Sequence, residues 1–274
     1  MTPNPRNLVL NLLLAADGQP LSAREAVAAC RLFGIRENSA RVTLVRLAAA
    51  GLIEAAGRGA YRLGPNAAQL AGDVATWRSA EQRVRDWNGD WIAVHTGGLG
   101  RSDRVALRAR DRALALLGLR ELDRGLYVRP DNLVGGVATV RARLLKLGLD
   151  AGAAVFVAAG FDEEREARAR ALWDGKALTA SYRTTRKKLE YWLARADTLP
   201  PETAARESFL LGNAAIRQLV FDPLLPAPLV DVDERRAFVD AVQRYDRAGH
   251  AIWQNLHLAP PATPRITPSP APAH

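Results

Sequence analysis

Apolar residues recur along the first fifty positions at the spacing of α-helices. Leu8, Val9, Leu12, Leu13 and Ala16 share one face of a helix expected over 7–16, and Asp17-Gly18-Gln19-Pro20 ends it with turn residues. Ser22 then offers an N-cap with Glu25 three positions on, the two halves of a capping box. Ala23, Ala26, Val27 and Cys30 form the stripe of the helix that follows, so Cys30 reads as a small buried residue rather than a nucleophile. Gly34 makes a turn, and Glu37-Asn38-Ser39 opens a third helix running to about Ala50 and stopped by Gly51. After Gly51 the period drops to two, which predicts strands over 52–56 and 60–63 around Gly57-Arg58-Gly59. Three helices followed by a hairpin with an arginine at its tip is the order of a winged helix-turn-helix.

The third helix carries the most specific chemistry. Ala40, Leu44 and Leu47 share its inward face. The remaining surface holds Asn38, Ser39, Arg41, Val42, Val45 and Arg46, with Thr43 near the edge and Arg36 just before the first turn. Arg and Asn reach base edges in a major groove, Ser and Thr reach phosphates, and Val touches a thymine methyl. The expected DNA-binding residues are therefore Arg36, Asn38, Ser39, Arg41, Val42, Thr43 and Arg46, joined by Arg58 at the hairpin tip and Arg62 on the return strand. A winged helix used only for protein contacts remains the alternative, with these arginines as solvated surface.

Further along, the periodicity alternates between two and 3.6. A charged helical connector is expected over 66–86. Strands are expected over 90–96, within 119–128 on both sides of Asp123-Arg124-Gly125, and over the fully apolar 153–159. Helices over 104–117 and 137–147 complete a βαββαβ order, the ferredoxin-like plan. From 162 to 258 the chain reads as helices, over 162–173, 178–195, 201–220 and 233–256. The Pro-rich 259–274 reads as a disordered tail. The expected organisation is thus α+β and multidomain: a DNA-binding unit over 1–65, the connector, a ferredoxin-like unit over 87–161, a helical unit over 162–258, and the tail.

Charge and composition narrow the partners. The chain has 38 Lys and Arg residues against 29 Asp and Glu, a formal net charge of +9 that favours an acidic partner such as nucleic acid. All but four of the basic residues are arginines spread along the whole length, so their placement says more than their number. No apolar run approaches a membrane span, the N-terminus lacks a secretory pattern, and the single cysteine permits no intrachain disulfide. A cytoplasmic protein is expected.

Several segments together resemble the PaaX family of transcriptional repressors. They are FGIRENSARVTLVRLAAAGLIE (33–54) followed by YRLG, W-N-G-D-W at 87–91, GLYVRPDNL at 125–133, RESFLL at 206–211 and FDPLLPAPL at 221–229. The resemblance runs over about 6–255. It implies a central domain similar to the Cas2 fold, a homodimer on a palindromic operator in double-stranded DNA, and release of DNA by an aryl-CoA thioester in some members. Family members often carry a tryptophan where this chain has Asn213-Ala214-Ala215-Ile216-Arg217, so the ligand's identity is not carried over.

For an effector, two readings stand. Trp173, Tyr182 and Trp192 are either core aromatics or walls of a pocket for an aryl acyl group, with Arg183, Arg186 and Lys187 meeting a CoA phosphate. His250 and His257, seven apart with Asp246 nearby, read as solvated helix positions rather than metal ligands. Enzyme signatures are missing: there is no Walker sequence, no GxSxG, no CxxC and no dinucleotide-binding glycine pattern after a strand. A Cas2-like nuclease needs an aspartate at the end of the first middle strand. Here Asp90 lies at its beginning and His95 at its end. No cofactor or metal is expected. A ligand-responsive repressor of a catabolic operon leads, ahead of a nucleic-acid enzyme on the Cas2-like unit and a winged-helix scaffold.

Overall fold

The computed structural model of the chain describes residues 3–16, 18–67, 76–100 and 102–258. The protein is mixed α+β, with two antiparallel sheets among many helices. The expected disordered tail lies outside the described residues.

The first three helices are α1 (Pro5–Ala15), α2 (Ala23–Leu32) and α3 (Glu37–Ala49). Asn4 caps α1 and Pro5 sits in its first turn, where the lost N–H costs nothing. The capping box of α2 forms as expected: Ser22 Oγ accepts from the Glu25 N–H at 3.1 Å, and the Glu25 carboxylate accepts from the Ser22 N–H at 2.8 Å. Leu8, Val9, Leu13, Ala26, Cys30, Ala40, Leu44 and Leu47 close one small core, with Ile53 from the hairpin. That hairpin is β2 (Ile53–Ala55) and β3 (Ala60–Leu63). Gly57 and Gly59 turn between them with φ of +111° and +70°, which other residues rarely adopt. A two-residue strand, β1 (Leu21–Ser22), adds to β3 in the register Leu21↔Tyr61 and Ser22↔Ala60.

In the middle of the chain lie β4 (Trp91–His95), α4 (Arg104–Leu116), β5 (Arg120–Asp123), β6 (Leu126–Pro130), α5 (Gly136–Lys146) and β7 (Ala154–Ala158). The sheet runs β5-β6-β4-β7 with every pair antiparallel. Strand β4 is buried on both faces, which explains its unbroken apolar run. Ile92 and Val94 join Leu114, Val140 and Leu144 in one core; Trp91 and Ala93 join Trp173 and Trp192 in another. Strand β7 is just as apolar in sequence, yet it is an edge strand. Phe156 and Val157 stay 41% and 44% exposed there.

The C-terminal helices are α6 (Glu163–Arg170), α7 (Gly175–Leu193), α8 (Pro201–Val220) and α9 (Val232–Leu258). Helix α9 packs against both α7 and α8, and Tyr182, Leu189, Trp192, Phe238, Val242 and Tyr245 fill the space between them. Of the expected connector helix over 66–86, residues 68–75 lie outside the described residues. The described parts form 3₁₀ turns at Pro65–Ala67, Thr76–Ser79 and Glu81–Arg83. The reason is anchoring: Trp77 is buried in the C-terminal core, Glu81 accepts from Arg235 at 2.8 Å, and Val84 bridges to Leu133. A regular helix would withdraw these contacts.

Two of the sequence motifs meet each other. Arg129 of GLYVRPDNL is fully buried and donates to the Leu117, Pro130 and Pro223 carbonyls and to Asn132 Oδ1. Asn132 Nδ2 in turn donates to the Leu224 carbonyl at 2.7 Å, in FDPLLPAPL. Burial pulls the guanidinium down to about 9, held up in part by Asp131 and Asp222. These residues lock the sheet to the C-terminal helices. Among the described residues no helix is long and apolar enough to cross a membrane.

Candidate nucleic-acid interface

Helix α3 spends only Ala40, Leu44 and Leu47 on the core. The rest of its surface is open. Arg36, Asn38, Ser39, Arg41, Val42 and Arg46 are exposed, and Val45 is 66% exposed. Two bare valines flanked by arginines form a face with no partner in the fold to explain it. Arg36, Arg46 and Arg58 make no side-chain ion pair among the described residues, and Arg58 stands at the hairpin tip between Gly57 and Gly59.

The other predicted contacts are placed differently. Arg41 is paired with Glu37 one turn earlier, at 2.8 Å, and Arg62 is paired across the hairpin with Glu54 at 2.7 Å. Both pairs are exposed, and such pairs contribute at most about 1 kcal/mol, so a phosphate can displace either carboxylate. Thr43 is half-buried and its hydroxyl donates to the Ser39 carbonyl at 2.7 Å. Its proton is spent, so it has none to give a phosphate. Glu37 opens α3 without any side-chain cap, and its charge suits the helix N-terminus.

The six residues expected around an effector do not come together. Trp173 stacks on Trp91 at 6.1 Å, Tyr182 on Phe238 at 5.7 Å, and Trp192 tilts against Tyr245 at 4.6 Å. All three are core, because each lies on an inward stripe covered by a neighbouring element. Arg183 and Arg186 are tied to Glu234 at 3.1 and 2.8 Å, which holds that carboxyl below the usual range, and Lys187 points to solvent. Deep burial pushes the Tyr182 hydroxyl and the Asp222 carboxyl above their usual titration ranges.

His250 is not the solvated position expected of it. Its Nε2 lies 2.7 Å from the Ala15 carbonyl at the end of α1, and its Nδ1 lies 2.8 Å from the Asp246 carbonyl. It therefore bridges the last helix to the first. Phe209 of α8 and Trp253 of α9 pack against the same N-terminal core, with Phe209 tilted against Phe33 at the end of α2 at 5.3 Å. None of these joint residues was distinguishable in sequence, since each looks like one more member of an amphipathic stripe. Cys30 is fully buried, and burial pushes its thiol up to about 11. Among the described residues no group of three or more His, Cys, Asp or Glu could hold a metal ion; Asp90 and His95 stand at opposite ends of β4.

Residues 173–255 match the family model described as the PaaX-like protein C-terminal domain. The structure of an uncharacterized protein, Rv0674 from Mycobacterium tuberculosis, is similar along nearly the whole length. It is 25% identical, with a TM-score of 0.59, and the match covers 91% of this chain and 98% of that one. No curated protein matches the chain. The C-terminal match supports the resemblance read from the motifs: the chain is similar to PaaX-like proteins over 173–255, which is consistent with a transcriptional regulator.

Proposed function

We propose that this protein is a sequence-specific DNA-binding repressor that acts as a homodimer on an inverted repeat. On this reading residues 1–65 are a winged helix-turn-helix, 87–161 a ferredoxin-like unit akin to Cas2, and 162–258 a helical control unit. The observation that carries it is the outward face of α3, where exposed Val42 and Val45 sit among Asn38, Arg41 and Arg46 beside an arginine-tipped hairpin. Asn38, Arg41, Val42 and Arg46 read bases, while Arg36, Ser39, Arg58 and Arg62 hold the backbone. The half-exposed edge of β7, with Phe156 and Val157, supplies an apolar surface for a second copy. Two α3 helices then enter major grooves about 10 base pairs apart, or a multiple of that.

Selection of tight binders from random double-stranded DNA tests this reading, followed by band shifts on the enriched sequence. The expected product is an inverted repeat bound by a dimer. Failure to enrich any sequence, or full binding by both Arg41→Ala and Arg58→Ala, overturns it. Titrating the complex with aryl-CoA thioesters tests relief of repression, and an unchanged band shift with every thioester removes that effector class.

A further inference from the structure

A cavity of about 730 Å³ lies where α1 and β1 meet α8 and α9. Leu12 and Leu21 line one side; Phe209, Ile216, Val242 and Trp253 line the other. That volume falls within the roughly 300–1,000 Å³ of pockets that hold small organic molecules, and a mostly apolar lining with a few polar groups is their usual character.

Its charge is unlike the rest of the molecule. On a chain with 38 Lys and Arg residues, the described lining contains a single one, Arg78, and it is already paired with Asp246 at 3.1 Å. Glu25 adds a second carboxylate, and His250 completes the ionisable set. A ligand bearing several phosphate charges finds one already paired arginine here against two carboxylates, and burying an anion beside carboxylates is costly.

We propose that this cavity binds a compact, aromatic-sized apolar molecule that is uncharged or carries one positive charge. The site is distinct from the Trp173, Tyr182 and Trp192 cluster, and its regulatory consequence rests on the DNA-binding reading above. The cavity wall is continuous with the hairpin: Leu21 pairs with Tyr61 in the sheet that carries Arg58 and Arg62. The opposite wall belongs to the helices that hold the end of α1 through His250–Ala15 and the end of α2 through Phe209–Phe33. A molecule seated between these walls favours one setting of the reading head over another, and it shifts DNA affinity by its preference for that setting.

The test uses the full chain and two probes with one ring system. N-Phenyl-1-naphthylamine is neutral, and its 8-sulfonate carries one negative charge. Probe fluorescence should show saturable binding at one per chain, with the neutral form about tenfold tighter or more. Asn213→Trp, which projects a large ring into the cavity, should weaken that binding about tenfold while circular dichroism stays native. Should that variant unfold, Trp253→Phe supplies the second measurement, since it should lower tryptophan-to-probe energy transfer while binding persists. Non-saturable binding, equal or tighter binding of the sulfonate, undiminished binding by folded Asn213→Trp, or unchanged energy transfer in Trp253→Phe would each overturn the site. Band shifts with the neutral probe then separate the two readings. A severalfold change in DNA affinity supports the coupling, and an unchanged affinity removes it. Absence of any DNA binding sinks the regulator while leaving a positive probe result in place.

Discussion

Helices α3 and α7 both mix apolar, basic and hydroxyl residues, and both were expected to present functional side chains. The fold uses them in opposite ways. Helix α3 lies against a small core and spends three residues on it, which leaves its arginines and valines in solvent. Helix α7 is overlaid by α9, so Tyr182, Leu189 and Trp192 become an inward stripe, and Arg183 and Arg186 close on Glu234 above it. Periodicity thus identifies which side of a helix faces inward. It does not distinguish a core from a pocket wall, because both are built from the same apolar residues at the same spacing.

The largest effect follows from the buried side of that contrast. Trp192→Ala should destabilise the protein by about 3–5 kcal/mol, because a large ring fully enclosed against Tyr245 leaves a cavity that closes only in part. Thermal or denaturant unfolding measures it. A loss under about 1 kcal/mol would mean the ring borders open space, and α7 would return as a candidate binding wall.

The same logic applied within the reading head concerns Cys30. Burial raises its thiol from an ordinary 9.0 to about 11. A raised folded value means that the group's contribution to stability is present below about 9 and is lost as pH rises toward 11. At pH 8 the native thiol holds roughly a hundredfold less thiolate than the unfolded chain, so a disulfide reagent should label it at least that much more slowly. Equal rates in native and unfolded protein would show that the head is not closed around α2.

Much of the fold was legible because each element had to hide a regular stripe. Strand β4 and helices α3, α4 and α8 fall within a residue or so of their expected bounds, each framed by a cap, a glycine or a change of period. What escaped is what depends on a distant partner. Strand β1 is two residues long and exists because β3 offers it an edge. The described C-terminal part of the connector forms 3₁₀ turns because Trp77 and Glu81 are claimed by α9 and its neighbours. Strand β7 has the sequence of a central strand but sits at an edge, and its exposed Phe156 and Val157 make sense only with something outside the monomer. Nothing in the local sequence separates Arg129 from the exposed arginines, yet it is buried with Asp131 and Asn132 and bonds across to the Pro223 carbonyl. On the site side, α3's outward face was readable from spacing alone. The joint of His250, Phe209 and Trp253 was not, since only the folded chain brings α9 to α1.

On the exposed side of the comparison, Arg46→Ala should cost about 1–3 kcal/mol of DNA affinity and leave the melting temperature unchanged within error. The guanidinium is solvent-exposed and makes no ion pair among the described residues, so nothing in the fold depends on it. Band shifts and a melting curve on the same preparation separate the two effects. A variant that melts lower while binding normally would place Arg46 in the fold rather than at the interface.

The smallest effect is the most discriminating. Arg41 is exposed on α3 as Arg46 is, but it is held by Glu37 at 2.8 Å. An exposed pair of this kind contributes at most about 1 kcal/mol, so a phosphate or base edge must first displace a carboxylate that costs little to remove. Glu37 also places a negative charge at the first turn of the helix proposed to approach DNA. Glu37→Gln removes both the competitor and the repulsion. It should tighten DNA binding by up to about 1 kcal/mol, with the gain shrinking as salt is raised. Stability should fall slightly, because a carboxylate at a helix N-terminus contributes about 0.3–1 kcal/mol. An opposed pair of changes, affinity up and stability down, is expected only if this end of α3 turns toward DNA. If the substitution weakens binding instead, Glu37 positions Arg41 for its contact, and the pair acts as a unit in recognition.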